Sequence, residues 1–92
     1  MTKENYKVKA KQTIDELFDQ IQEVEKKKDN VSDKMKQKYD KQIDELKDQY
    51  EKLKEKYNDL EKSSDSKWEN VKTKFSESAE YIKAGLSRLS DV

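Results

Sequence analysis

Residues 39–60 read YDKQIDELKDQYEKLKEKYNDL and carry the clearest periodic pattern of the chain. The apolar residues of this stretch fall on two lines of seven-residue spacing, one made of Tyr39, Leu46, Leu53 and Leu60 and the other of Ile43, Tyr50 and Tyr57. Almost all the positions between them are Lys, Asp, Glu or Gln. A narrow apolar line at this spacing, with charges elsewhere, is typical of a helix that pairs with another helix in a coiled coil.

The same spacing continues on both sides of this stretch. Before it lie Ile14, Leu17, Ile21, Val24, Val31 and Met35, with Ala10 ahead of them and Lys28 at the one charged position. After it lie Trp68, Val71, Phe75, Ile82, Leu86 and Leu89, with Ala79 among them. Together with the apolar residues of the middle stretch, the residues from Ile14 to Leu89 form a predicted helix-pairing seam.

The seam has two interruptions. Steps of four and four residues replace the regular spacing from Met35 to Ile43 and from Leu60 to Trp68. Each amounts to a four-residue insertion, which locally unwinds a left-handed supercoil. Polar segments accompany both shifts, so we expect one helical domain over residues 1–92 with hinges at 29–33 and 62–66. Helix propensity alone does not decide whether these segments are loops or continuous helix.

Two kinds of all-α architecture satisfy this pattern. One is a long coiled-coil helix, or a helical hairpin folded at 62–66, that forms a homo-oligomer along the seam. The alternative is an antiparallel three-helix bundle with helices over about residues 4–28, 33–61 and 66–90. A bundle helix needs about three apolar positions per heptad, whereas a coiled-coil seam needs two. The middle stretch supplies close to two, which favours the coiled-coil oligomer.

The charge balance argues against nucleic acid as a partner. The chain is 46% charged, with 21 Lys and Arg against 21 Asp and Glu. A neutral chain without a basic block has little to neutralise a phosphate backbone. Arg88 is the only Arg, although guanine and phosphate are read mostly by Arg. The expected partner is the chain itself or another helical protein.

The residue types of most active sites are missing. The chain has no His and no Cys, and its single Gly, Gly85, forms no phosphate-binding loop. Asp40, Asp44 and Asp48 form a ladder along one helix face, which we interpret as a charged flank of the seam, because a calcium site wraps a loop around the ion. We therefore predict no enzyme, no cofactor, no metal and no small-molecule substrate.

The C-terminal part differs most from a generic heptad pattern. Residues 67–90 carry Trp68, Phe75 and further apolar residues on one face, as in a helix that lies on a membrane surface. The polar face is close to neutral, so burial against another helix is the favoured interpretation. Gly85 either lets a neighbouring helix approach closely or ends the helix. Without a signal peptide or an apolar span in the sequence, the expected location is cytoplasmic.

The run Leu60-Glu61-Lys62-Ser63-Ser64-Asp65-Ser66-Lys67-Trp68-Glu69 is similar to part of a group of small bacterial coiled-coil proteins. Their C-terminal helix opens with a Ser-Asp-x-x-Trp-Glu-like signature, and some are loosely grouped with apolipoprotein-like helical repeats. The likeness covers about residues 35–90. It implies an all-helical fold and a bacterial origin, and it carries no activity and no functional residues with it.

The function predicted from these features is structural. We expect a non-enzymatic scaffold, spacer or adaptor that acts through helix pairing along the seam. The alternative is a stress-type, surface-active amphipathic protein that contacts lipid or membrane surfaces through 67–90.

Overall fold

The computed structural model describes residues 2–90, which form three α-helices joined by short turns. Helix α1 spans Lys3–Lys27, α2 spans Asp33–Lys62 and α3 spans Trp68–Ser90, and a short 3-10 helix at Lys28–Asn30 follows α1. The described residues contain no strand, so the all-α class predicted from the sequence is confirmed. The helices break beside both predicted hinges.

Local sequence explains where the helices begin and end. The Thr2 hydroxyl accepts a hydrogen bond of 3.1 Å from the backbone N–H of Asn5 and so caps the start of α1. Helix α2 has Asp33 in its first turn and Lys62 in its last, each next to the helix end of opposite partial charge. Beyond α2 the Ser63 hydroxyl donates a 3.0 Å hydrogen bond to a carbonyl of the last turn.

Contacts between distant residues set the directions of the helices. Tyr6, near the start of α1, lies against Trp68 at the start of α3, so α1 and α3 are parallel. Glu25, near the end of α1, pairs with Lys47 of α2, and the end of α3 lies beside the start of α2. Helix α2 is therefore antiparallel to both others. The result is a three-helix bundle with extents of 50 × 17 × 17 Å.

The core is one cluster of apolar side chains from all three helices. Its buried members are Ala10, Ile14, Leu17, Ile21, Val24, Tyr39, Ile43, Leu46, Leu53, Leu60, Trp68, Phe75, Ala79, Ile82, Leu86 and Leu89. Among the described residues no polar or charged side chain is buried. Apolar burial therefore provides the main favourable term for this fold.

The structure forms the antiparallel three-helix bundle that the sequence offered as the alternative, and not one long helix. With close to two apolar positions per heptad, the apolar face of α2 is narrower than a bundle helix requires. Tyr50 and Tyr57, which the seam already includes, are half-buried and pack against the core, so the additional width comes from the flanking side chains. Gln42, Gln49 and Lys56 are also only partly exposed, and their aliphatic stems cover the edges of the apolar face.

Gly85 lies within α3 and does not end it, since the helix continues to Ser90. A Cβ atom built on Gly85 would lie 2.7 Å from Cδ2 of Leu46 in α2. The missing side chain therefore lets the two helices approach closely at this point. Of the two interpretations of Gly85, close helix approach is the one that the structure supports.

Candidate helix-pairing surface

Most residues of the predicted seam are buried between the chain's own three helices. Those that are buried are Ile14, Leu17, Ile21, Val24, Tyr39, Ile43, Leu46, Leu53, Leu60, Trp68, Phe75, Ile82, Leu86 and Leu89. Val31, Tyr50, Tyr57 and Val71 are partly buried and pack against this core. Met35 departs from the expected burial with 36% exposure, because it lies in the first turn of α2 at one end of the bundle.

The buried residues share one face when the whole chain is drawn as a single helix. With about 3.6 residues per turn, each residue advances about 100° around the helix axis. On this count all the buried residues of α1, α2 and α3 fall within one sector about 100° wide. The partly buried Tyr6, Val31, Tyr50, Tyr57 and Val71 widen it by only about 20°. We call these buried and partly buried residues the continuous stripe.

The two shifts in the heptad spacing explain why the stripe keeps its phase. A strict heptad repeat drifts by about 20° per seven residues against the 3.6-residue turn. An additional four-residue step turns the pattern by about 40° in the opposite sense. These steps occur at Met35 to Ile43 and at Leu60 to Trp68, beside the two turns of the bundle. The chain thus folds back twice without losing the helical phase of its apolar face.

Exposed apolar side chains differ in their position relative to the stripe. Val8 and Tyr81 are both 58% exposed and lie far outside the sector, and Phe18, at 43% exposure, lies about 20° beyond its edge. Met35, at 36% exposure, lies inside it. Among the described residues it is the one exposed large apolar side chain that has the phase of the stripe. This makes Met35 the place where the bundle leaves the stripe incompletely covered.

Aromatic contacts close the end of the bundle where α1 and α3 begin. The ring of Tyr6 meets Trp68 edge to face, with centroids 5.7 Å apart, and meets Phe75 in the same way at 6.4 Å. Lys3 Nζ lies 5.4 Å from the centroid of the Trp68 ring. Sequence reasoning missed Tyr6. Its spacing of four residues from Ala10 was the available signal.

An aromatic contact, a cation–π contact and an ion pair lie along the outer edge between α1 and α2. Phe18 and Tyr50 have centroids 5.5 Å apart, and Lys54 Nζ lies 5.4 Å from the Tyr50 ring. Burial raises the pKa of the Tyr50 hydroxyl. Glu25 and Lys47 form an ion pair, and the hydrogen bond from Lys47 to Glu25 raises the pKa of the lysine. Such exposed pairs contribute little stability, but they favour one register of the two helices.

Apart from Lys47 and Tyr50, which share the edge between α1 and α2, the groups with shifted pKa values lie at separate places along the bundle. Burial raises the pKa of the Tyr39 hydroxyl, while the hydrogen bond from Lys3 lowers the pKa of Asp65 at the other end of the bundle. Within residues 2–90 no three carboxylates come together as metal ligands, and the Asp40 to Asp48 ladder stays along one face of α2. The absence of an enzyme, a cofactor and a metal therefore remains a prediction.

None of the helices in the described part of the chain combines the length and the apolar character needed to cross a bilayer. Comparison with protein-family models, with curated proteins and with solved structures gives no match for this chain. The geometry of the continuous stripe is therefore the main guide to function.

Proposed function

We propose that this chain is a non-enzymatic structural or interaction protein that acts by helix pairing, as a scaffold, spacer or adaptor. Its partner is a second copy of the chain or another helical protein. The observation that carries the proposal is the continuous stripe, which runs in phase through all three helices. A helix of the same chain or of another chain can pack against such a stripe, because its apolar residues have the same spacing.

The charged exterior supports a role in selecting the partner. Pairs such as Glu51 with Lys54 and Glu80 with Lys83 lie within one helix turn, at 3.5 Å, and their side chains are largely exposed. Ion pairs of this kind contribute only about 0.2–0.5 kcal/mol each. Burial of the apolar stripe must then supply most of the binding free energy. The balanced charges favour one orientation of the paired helices and disfavour partners that place like charges together.

Sedimentation velocity and thermal unfolding over a range of protein concentrations test the proposal. We expect a mass above the 11.0 kDa of one chain and an unfolding midpoint that rises with concentration. Met35→Asp and Val8→Asp make a matched pair, because both residues are exposed in the bundle but only Met35 lies on the stripe. Met35→Asp should weaken association, whereas Val8→Asp should not. Equal association of both variants would contradict a role for the stripe.

A second candidate function is contact with a lipid surface through α3. The observation that favours it is the row of Trp68, Phe75, Ile82 and Leu89 on one face of this helix. All four side chains are buried in the bundle, so α3 would have to leave α1 and α2 to meet lipid. Quenching of Trp68 emission by anionic vesicles with brominated acyl chains tests this function. Emission that brominated and ordinary vesicles leave equally bright excludes insertion of α3.

A further inference from the structure

The turn between α1 and α2 is close to helical already. Lys27 and Lys28 have helical backbone angles, and Lys28–Asn30 forms a 3-10 helix. Only Val31 and Ser32 are extended, with φ and ψ of −88° and 140° and of −60° and 153°. The turn contains neither Gly nor Pro. Rotation of two residues into the helical region therefore suffices to join α1 and α2 into one helix.

The stripe would keep its phase in such a fused helix. Between Val24 and Tyr39 the sector contains Lys28, Ser32 and Met35, with Glu25 and Val31 at its edges, so the stripe there includes polar residues. In the bundle, Val31 is only partly buried and Met35 is 36% exposed. In the fused helix both would fall on the apolar face, between residues that are already buried. Met35, which is exposed in the bundle, would thus lie on a helix-pairing face in the fused helix.

We propose that two copies of this chain associate by exchanging α1. In each chain Val31 and Ser32 become helical, so that Lys3–Lys62 forms one helix about 90 Å long, against 50 Å for the longest extent of the bundle. The α1 segment of each copy occupies the groove between α2 and α3 of the other. Val31 and Met35 of both copies meet at the twofold axis. This inference rests on the proposed helix-pairing function and names its partner as a second copy.

Contacts of the two turns single out the first turn as the hinge. In the second turn the Ser63 hydroxyl bonds to Leu60 O, the Ser64 and Ser66 hydroxyls bond to each other, and Lys67 N–H bonds to Ser64 O. The first turn has a backbone hydrogen bond of 3.3 Å from Val31 N–H to Lys28 O, but the Ser32 side chain, although placed at the cap of α2, makes no capping hydrogen bond. Less is therefore lost when the first turn opens. Exchange of α1 also leaves the α2–α3 hairpin intact.

Substitutions at the hinge distinguish the two arrangements. Ser32→Pro suits the bundle, because φ of Ser32 is −60° and Val31 has the extended backbone preferred before proline. In the fused helix the same proline weakens the dimer by about a hundredfold for each hinge. Asn30→Ala with Ser32→Ala favours helix at the hinge and should tighten the dimer by at least about tenfold. Sedimentation equilibrium after refolding at high protein concentration measures both effects.

Cross-linking shows which chain provides each contact. Equal amounts of ¹⁴N- and ¹⁵N-labelled protein are refolded together, treated with a carbodiimide and digested for mass spectrometry. In the exchanged dimer the ion pairs Glu25–Lys47 and Lys3–Asp65 join different chains, so about half of these cross-links should combine both isotopes. The pair Glu51–Lys54 lies within α2 and should remain single-isotope as the internal control.

Two results overturn the exchange and are distinguishable from each other. A dimer with single-isotope Glu25–Lys47 cross-links, unaffected by Ser32→Pro, overturns the exchange but leaves self-pairing through another arrangement. A monomer at every concentration, in the wild type and in the Asn30→Ala, Ser32→Ala variant alike, overturns self-pairing as well. Mixed-isotope cross-links that Ser32→Pro abolishes support the exchange.

Discussion

Replacing Gly85 by Ala has two opposing effects on the free energy of unfolding. Ala stabilises the interior of a helix by about 1 kcal/mol relative to Gly. The new Cβ, however, would lie 2.7 Å from Leu46 Cδ2. Leu46 is only 4% exposed, so its methyl group must move within a filled core, and overpacking of this kind costs about 1–3 kcal/mol. We expect Gly85→Ala to lower the free energy of unfolding by about 0–2 kcal/mol.

A double-mutant cycle with Leu46→Ala separates the two effects. Leu46→Ala alone should lower the free energy of unfolding by about 2–5 kcal/mol, because it leaves a cavity. With that side chain shortened, Gly85→Ala no longer clashes and should stabilise the chain by about 1 kcal/mol. The coupling energy between the two positions is then about 1–3 kcal/mol. The sign of the effect of Gly85→Ala should thus change between the two backgrounds.

Urea unfolding followed by circular dichroism at low micromolar protein concentration measures the four free energies, with Ser32→Pro present throughout to disfavour the exchanged dimer. Ala84→Gly is the control for helix propensity, since Ala84 is the exposed neighbour of Gly85 in α3. It should lower the free energy of unfolding by about 1 kcal/mol. If Gly85→Ala stabilises both backgrounds equally by this amount, the close approach of α2 and α3 at Gly85 is refuted.

Three further substitutions and one exposed control test the core, the buried tyrosine and the aromatic contacts. Leu53→Ala should lower the free energy of unfolding by about 2–5 kcal/mol, since Leu53 is 0% exposed, whereas Val8→Ala at a 58% exposed position should change it by less than about 0.5 kcal/mol in the same urea titration. Burial raises the pKa of Tyr39 above its ordinary value of about 10, so its contribution to stability is complete below that pH and is lost as the pH rises through the folded-state pKa. Tyr39→Phe should make the decline of the urea midpoint above about pH 10 less steep, and identical declines would contradict the assignment. Tyr6→Leu keeps an apolar side chain but removes two edge-to-face contacts, so unfolding followed by Trp68 fluorescence should show a loss of about 1–3 kcal/mol in the free energy of unfolding.

Much of the fold follows from the sequence by simple rules. The spacing of Leu46, Leu53 and Leu60 predicted a helix with one buried face, and these residues are buried. The predicted helix limits lie within about two residues of those of α1, α2 and α3, because heptad shifts and polar segments mark the turns. The helical class and the identity of the buried face depend mainly on local periodicity, which a single sequence contains.

The choice between a three-helix bundle and one long helix could not be made in the same way. It depends on how far Gln42, Gln49 and Lys56 cover the edge of the apolar face, and long side chains of this kind lie readily at the edge of a core. It also depends on Gly85, whose close approach to Leu46 becomes visible only when α2 and α3 are placed together. Both are tertiary effects of a few kcal/mol, comparable with the helix penalties at the turn.

We propose that the continuous stripe pairs helices both within one chain and between two. Sedimentation equilibrium of the refolded protein, from low micromolar to high micromolar concentration, measures whether two chains pair. We predict a reversible equilibrium between one chain of 11.0 kDa and a dimer, with helicity maintained throughout. A fully helical monomer at every concentration would contradict pairing of the chain with itself.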